Sequence, residues 1–205
     1  MARIILASGS PRRRELLAGL GINFEVKPSS VPEQIGDDES PAAYVERLAR
    51  EKAVAVANNL NDAIVIGADT TVVIDNQVLE KPVDRDDAWR MLSALSGRWH
   101  TVLTGVCLID CQAAKTVSGV ESTDVLFQNL NDDDLEWYLN TNEPYDKAGA
   151  YAIQGYGSLI VDKVKGNYFN VVGLPINLLK RLSIELGCDI KNWQRLSLPA
   201  VHNLL

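Results

Sequence analysis

Histidine is almost missing from this chain: only His100 and His202 occur in 205 residues, too few for a histidine-based metal site. Cysteine is scarce too. Cys107, Cys111 and Cys188 are odd in number and lack metal-ligand spacing, which excludes a disulfide framework and a cysteine zinc site. Cys107 and Cys111 alternate within a strand-like run and read as buried thiols in a reducing compartment. No apolar run approaches the length of a membrane span. The apolar stretch near the N-terminus, Ile4 to Ala7, is too short for a secretory signal, so a cytoplasmic location is expected. The chain also lacks an excess of positive charge. Lys and Arg number 20 against 27 Asp and Glu, a formal net charge of −7, which argues against a long nucleic acid or an anionic membrane as main partner. A P-loop, a complete G-x-G-x-x-G, an H-E-x-x-H pair and a G-x-S-x-G elbow are all missing. So are internal repeats and low-complexity linkers.

What remains is an ordinary globular composition, 46% hydrophobic and 23% charged, on a chain long enough for a substantial core. Residues 3–7 read as a buried strand and 11–20 as a helix with Ser10 as cap, Pro11 at its first position and Gly21 past its end. A short strand at 24–27, a long helix from Ser40-Pro41 to about Asn58 and a strand at 63–67 follow. The last of these is expected to break at Gly67-Ala68-Asp69. Residues 71–74 and 77–80 read as a hairpin around Asp75-Asn76. Then come a helix at 84–95, long strands at 100–110 and 116–127, and a helix capped by Asn131. Strands are expected at 150–153 and 158–164, flanking Gly155 and Gly157. Gly173-Leu174-Pro175 opens a last helix closed by Gly187. This alternation indicates α/β with a mixed sheet. One domain is expected over 1–190, as one large body or two small lobes, with a tail of unplaced character at 191–205. In that tail Trp193, Leu196 and Leu198 can either dock on the body or stay free.

The segment Ile4 to Arg14 carries the sharpest signal. A buried strand ends in Ala7-Ser8-Gly9-Ser10, Pro11 opens a helix, and Arg12, Arg13 and Arg14 load its first turn. Arginines at a helix N-terminus repel one another and oppose the dipole. They make sense around a bound anion, where backbone N–H groups and guanidinium forks converge. Leu16, Leu17 and Leu20 mark the buried face of this helix, and Arg13 falls in the middle of it. Arg13 is therefore read as an anion ligand and Arg14 as solvent-exposed, while Arg12 fits either part.

Three further segments carry candidate chemistry. Asp69 follows a buried run and a glycine, where α/β sheets place ligands. It can hold a divalent metal or take a proton from water, and a turn aspartate capping the next backbone fits the same residues. Lys52, in an alanine-rich helix, and Lys81, before Pro82, are plain surface charges unless other anion-binding groups stand near them. In Asp146 to Gly157 small residues permit close backbone approach, and Gln154 can present its amide to a base edge. The same stretch also fits a simple turn.

Together these segments resemble the Maf (septum formation) family of nucleoside triphosphate pyrophosphatases. The matching stretches are LASGSPRRRELL, VERLAREKA, VIGADTTVV, LEKP, LSGRWHTVLTGV, EPYDKAGAYAIQG and VVGLPI, in the family's order across residues 4–176. The resemblance implies a curved mixed sheet with flanking helices, in two lobes around a cleft as in inosine-triphosphate pyrophosphatases. It implies hydrolysis of a nucleoside triphosphate between its α- and β-phosphates, with a divalent cation, Mg²⁺ or Mn²⁺, as cofactor. By motif position Asp69 looks like the family's catalytic carboxylate, and Ser8, Arg13, Lys52 and Lys81 look like its phosphate-binding groups. Glu33 resembles the loop glutamate that assists Asp69 with the metal. Arg12, Thr70 and Gln154 resemble the specificity residues of the dTTP/UTP branch. A neutral amide at Gln154 suits uracil or thymine, donating to one carbonyl and accepting from N3–H, whereas a carboxylate suits a cationic 7-methylguanine. The expected partner is a small nucleotide, and a homodimer is the family-level expectation. The alternatives are a pyrophosphatase for 7-methyl-GTP or another modified nucleotide, and a nucleotide-binding regulator of septum formation that does not turn over.

Overall fold

The computed structural model describes residues 3–194. Seven strands form one mixed sheet: β1 (Arg3–Leu6), β2 (Phe24–Val26), β3 (Ala63–Ile74), β4 (Gln77–Leu79), β5 (Trp99–Asp110), β6 (Lys115–Phe127) and β7 (Val161–Lys165). Their order is β2-β1-β3-β5-β6-β7, with β4 paired to the far end of β3. Pairings of β1 with β2 and β3 are parallel, and the rest are antiparallel. The helices are α1 (Pro11–Gly19), α2 (Pro41–Ala57), α3 (Arg85–Leu95), α4 (Asp132–Leu139), α5 (Tyr168–Val172) and α6 (Ile176–Leu186). This is the expected mixed α/β class. None of these helices is long and apolar enough to cross a membrane.

The sheet carries separate cores on its faces and ends. Ile4, Leu6, Ile64, Ile66, Val106 and Leu108 face Leu17 of α1 and Leu178, Leu179 and Leu182 of α6. The alternate residues Ile5, Val65 and Cys107 face Ala49 and Ala53 of α2, so strand alternation assigns the faces. Toward the other end, Val72, Val102, Val125 and Phe127 pack with Leu92 and Leu95 of α3 and Tyr138 of α4. Trp193 docks into the first core with 7% exposure, and Gln194 bridges to Ile22. Leu196 and Leu198 lie outside the described residues.

Residues 63–67 and 71–74 are not two strands. They belong to one uninterrupted strand, β3, and Asp69 sits in its middle, paired with Gly105 of β5. Gly67 does not break the strand; it makes room for α2. A Cβ on Gly67 would stand 2.1 Å from the Ala49 carbonyl oxygen, and one on Gly105 would stand 2.2 Å from that of Val45. The backbone of α2 therefore lies directly on β3 and β5 at these two positions. Replacing Gly105 with Ala forces the helix outward. A loss of about 3 kcal/mol is expected, and at this chain length that lowers Tm by roughly 6–12 °C. Thermal unfolding followed by circular dichroism measures it, and an unchanged Tm would refute the close packing.

Residues 150–153 form no strand either. The segment starts inside a 3₁₀ turn at Ala148–Ala150, in which Gly149 and Ala150 both have positive φ, 66° and 59°. Strand β7 begins only at Val161, after a second 3₁₀ turn over Gly155–Leu159. Ser10 caps α1 only by its backbone position, with no side-chain cap bond; the hydroxyl of Ser8 accepts from the Ser10 N–H instead, at 3.3 Å. The Asp75-Asn76 hairpin forms as expected, both residues at positive φ between the paired Ile74 and Gln77.

Candidate active site

The cleft opens along one edge of β3. β1 pairs with β3 only as far as Ile66, and β4 begins pairing at Val72. Between them the edge of β3 has no strand partner among the described residues. A cavity of about 350 Å³ fills this gap, within the range of small-molecule sites. Its lining includes Ser8, Arg12, Arg13, Glu33, Lys52, Asp69, Thr70, Lys81 and Gln154. All nine residues singled out in the sequence therefore meet in one place.

Arg13 closes the open edge. Its Nη1 donates to the Ala68 carbonyl oxygen and to Ser8 Oγ, both at 2.9 Å, its Nε to the Gly173 carbonyl oxygen at 2.8 Å, and its Nη2 to Thr70 Oγ1 at 3.0 Å. Helix periodicity turned this side chain inward, and only 8% of the residue is exposed. Among the described residues it forms no ion pair. Burial works against its charge, and Asp69 partly offsets that. Ser8 Oγ accepts from both Arg13 and the Ser10 N–H, which leaves its own proton for a ligand.

Across the cleft, Lys52 joins two carboxylates. Its Nζ donates to Asp69 Oδ1 at 2.6 Å and to Glu33 Oε1 at 2.5 Å. The close approach of α2 explains the reach, because Lys52 stands one residue before Ala53, which packs on Gly67. Asp69 Oδ2 accepts no hydrogen bond among the described residues. Burial alone would raise the Glu33 carboxyl, but the hydrogen bond and charge of Lys52 outweigh it and hold it below the ordinary value. Lys81 stands at the rim, half-exposed, 3.9 Å from Glu33 Oε2.

The other end of the cleft carries apolar wall residues, Ala148, Tyr151, Ala152 and Ile153, beside Arg12 and Gln154. Tyr151 forms part of its wall, held edge-on to Phe127 and by a 2.8 Å contact between its hydroxyl and His100 Nε2. Burial pushes His100 down to about 4, so the ring is neutral. The Gln154 side chain is exposed to the cleft and, like that of Arg12, makes no hydrogen bond among the described residues. Burial works against the Arg12 charge, offset in part by Asp146 and Glu143. Thr70 is not free in this way. Its hydroxyl accepts from Arg13 and lies 2.9 Å from Thr104 Oγ1, which donates to the Asn170 carbonyl oxygen. Thr70 thus helps to seat Arg13. Arg14 is exposed, as the helix wheel required.

A model of the Maf-like protein family matches residues 3–186. The chain belongs to the Maf family. Curated relatives of this Maf chain are named dTTP/UTP pyrophosphatase. One from Thermoanaerobacter sp. (strain X514) is 54% identical over 178 residues, covering 86% of this chain and 93% of the relative. One from Alkaliphilus oremlandii is 52% identical over 193 residues, covering 94% and 96%. One from Moorella thermoacetica is 50% identical over 197 residues, covering 95% of this Maf chain and all of the relative.

Two site residues were not legible beforehand. Glu80 lines the cleft with its carboxyl partly buried against the hydroxyl of the fully buried Tyr44. Burial raises its carboxyl, opposed by Tyr44 and reinforced by the charges of Asp69 and Glu33. In the sequence it is one acid beside Lys81 at a strand end, with nothing to separate it from a surface charge. Gly173 was read only as a helix opener. Its carbonyl, released at the left-handed end of α5 (φ 114°), receives Arg13.

Proposed function

We propose that this Maf protein hydrolyses dTTP and UTP to the monophosphate and pyrophosphate. The observation that carries the reading is the polarity of the cleft. At one end the buried Asp69 is joined to Lys52, with the buried Arg13 also in the lining; at the other the neutral amide of Gln154, without a hydrogen bond among the described residues, stands beside apolar walls. The relatives named dTTP/UTP pyrophosphatase support it.

In the reaction, water attacks the α-phosphorus in line. The new bond joins water oxygen to phosphorus, and the bridging bond to the β-phosphate breaks. Asp69, fixed through Oδ1 by Lys52, takes the water proton on its free Oδ2. Arg13, Ser8, Lys52 and Lys81 bind the phosphates and neutralise charge growing on the departing pyrophosphate. Among the described residues no three acids, histidines or cysteines form a ready-made metal cage. The chemistry of Mg²⁺ and Mn²⁺ does not require one, since these ions take one or two carboxylates and complete their shell with phosphate oxygens and water. Asp69 and Glu33, converging on Lys52 from two sides, fit that demand and would hold the ion. The ion would supply polarisation of the phosphate oxygens.

The test is pyrophosphate release from dTTP, UTP, CTP, GTP and 7-methyl-GTP, with and without Mn²⁺. Preferential release from dTTP and UTP, requiring Mn²⁺ or Mg²⁺, is expected. Faster release from 7-methyl-GTP would overturn the base assignment. Nucleotide binding without release from any of them would make the protein a regulator instead of an enzyme.

A further inference from the structure

Gln154 reads the base only if the loop that carries it holds still. That loop, residues 152–157, is no regular strand, and its backbone amides are held from one side. Glu143 lies just before the turn Pro144–Asp146, outside the cleft wall. Its Oε1 accepts from the Tyr138 hydroxyl and from the Gly157 N–H, both at 2.8 Å, and its Oε2 accepts from the Tyr156 N–H at 3.1 Å. The Tyr138 hydroxyl in turn accepts from the Ala152 N–H at 3.1 Å. One carboxylate therefore holds both ends of the loop, two residues before Gln154 and two to three after it.

The fit leaves no slack. A Cβ on Gly157 would stand 1.8 Å from the Ala152 carbonyl oxygen, so the loop closes on itself. Gly155, at φ +74°, presses so near that a Cβ there would stand 2.2 Å from Glu143 Oε2. Only an ionised carboxylate can accept from all three donors. A glutamine has one acceptor oxygen, and its NH₂ would face at least one N–H or O–H.

The geometry assigns to Glu143 the part of a positioning residue for base selection: its carboxylate sets the 152–157 loop and, through it, the place of the Gln154 amide. The assignment rests on the reading of the cleft as a pyrimidine nucleotide site. Its negative charge also bears on Arg12, the other unbonded side chain at this end, so one residue supports both.

The test compares Glu143→Gln, Tyr138→Phe and Gln154→Ala with the unaltered protein in steady-state kinetics on dTTP, UTP, CTP and GTP. Glu143→Gln should raise KM for dTTP and UTP about tenfold, the worth of one charge-assisted hydrogen bond, while kcat changes less than about threefold. The dTTP-to-CTP ratio of kcat/KM should fall toward that of Gln154→Ala. The double variant should be no less selective than Gln154→Ala alone, since both act on one contact. Tyr138→Phe, which removes the Glu143–Tyr138–Ala152 link but leaves the bonds of Glu143 to the Tyr156 and Gly157 N–H groups, should move the ratio the same way by less, and it serves if Glu143→Gln does not fold. A fall in kcat equal for all four nucleotides, or unaltered selectivity with only a lower Tm, would overturn the assignment. An unaltered protein that does not discriminate dTTP from CTP would instead overturn the reading on which it rests.

Discussion

Asp69→Asn is expected to lower kcat for dTTP by roughly 10²–10⁴-fold, the range set by losing a positioned base, while the protein stays folded. The environment of the residue explains both halves. Lys52 keeps Glu33 as a partner at 2.5 Å, and the asparagine carbonyl can still accept its second hydrogen bond. The buried ammonium is therefore not orphaned, and the several kcal/mol that follow from breaking a buried pair outright are mostly avoided. Binding should hold or tighten, because one negative charge fewer faces the triphosphate. Asp69 is also assigned to the metal, so the Mn²⁺ concentration for half-maximal rate should rise. Steady-state kinetics over a Mn²⁺ series, with Tm as a fold control, measures all three. An Asp69→Asn variant that turns over dTTP at the original rate refutes the assignment.

Why this aspartate is buried and exposed to a ligand at once follows from strand lengths. The sequence reading placed it at the end of a strand, released by Gly67. Asp69 does line the cleft, but a different strand ends. β1 stops at Leu6 while β3 runs on to Ile74, so the edge opens in mid-strand. Nothing local distinguishes a glycine that breaks a strand from one that admits a helix backbone, because α2 is far from Gly67 in the chain. Arg13, by contrast, was legible because helix periodicity is local: a face defined by Leu16, Leu17 and Leu20 fixes where residue 13 points.

The same contrast separates the other successes from the misses. The Asp75-Asn76 hairpin is written in its turn residues. The 150–153 segment looked like a strand because it is apolar, but the positive φ values of Gly149 and Ala150 divert it. α5 spans five residues, too few for a periodic pattern, yet it delivers the carbonyl of Gly173 to Arg13. Glu80 and Glu143 were indistinguishable from surface acids, since their partners come from other elements. The residues that gather in the cleft were thus readable from short-range pattern, while the groups that hold it in shape depend on tertiary contacts.

Arg13 carries the second large effect. Arg13→Met should reduce kcat/KM for dTTP by about 10³-fold or more, as expected for a group that stabilises transition-state charge from a buried position. Arg13→Lys should recover little, since a point charge cannot serve Gly173, Ala68, Ser8 and Thr70 at once. The stability of the ligand-free protein is the more telling measurement. The methionine variant loses four hydrogen bonds and leaves their acceptors unmet, which destabilises. It also removes a buried guanidinium that has no ion-pair partner among the described residues, which stabilises. The two largely offset, so the unliganded Tm should move by only a few degrees. Pyrophosphate should then separate the proteins. It stabilises the native state by mass action wherever it binds, so it should raise the Tm of the unaltered protein clearly and that of Arg13→Met hardly at all. A methionine variant that keeps the full pyrophosphate-induced shift would show that Arg13 merely ties α1 to the edge of β3. An abolished shift with a near-normal unliganded Tm would show that its charge is held for the anion.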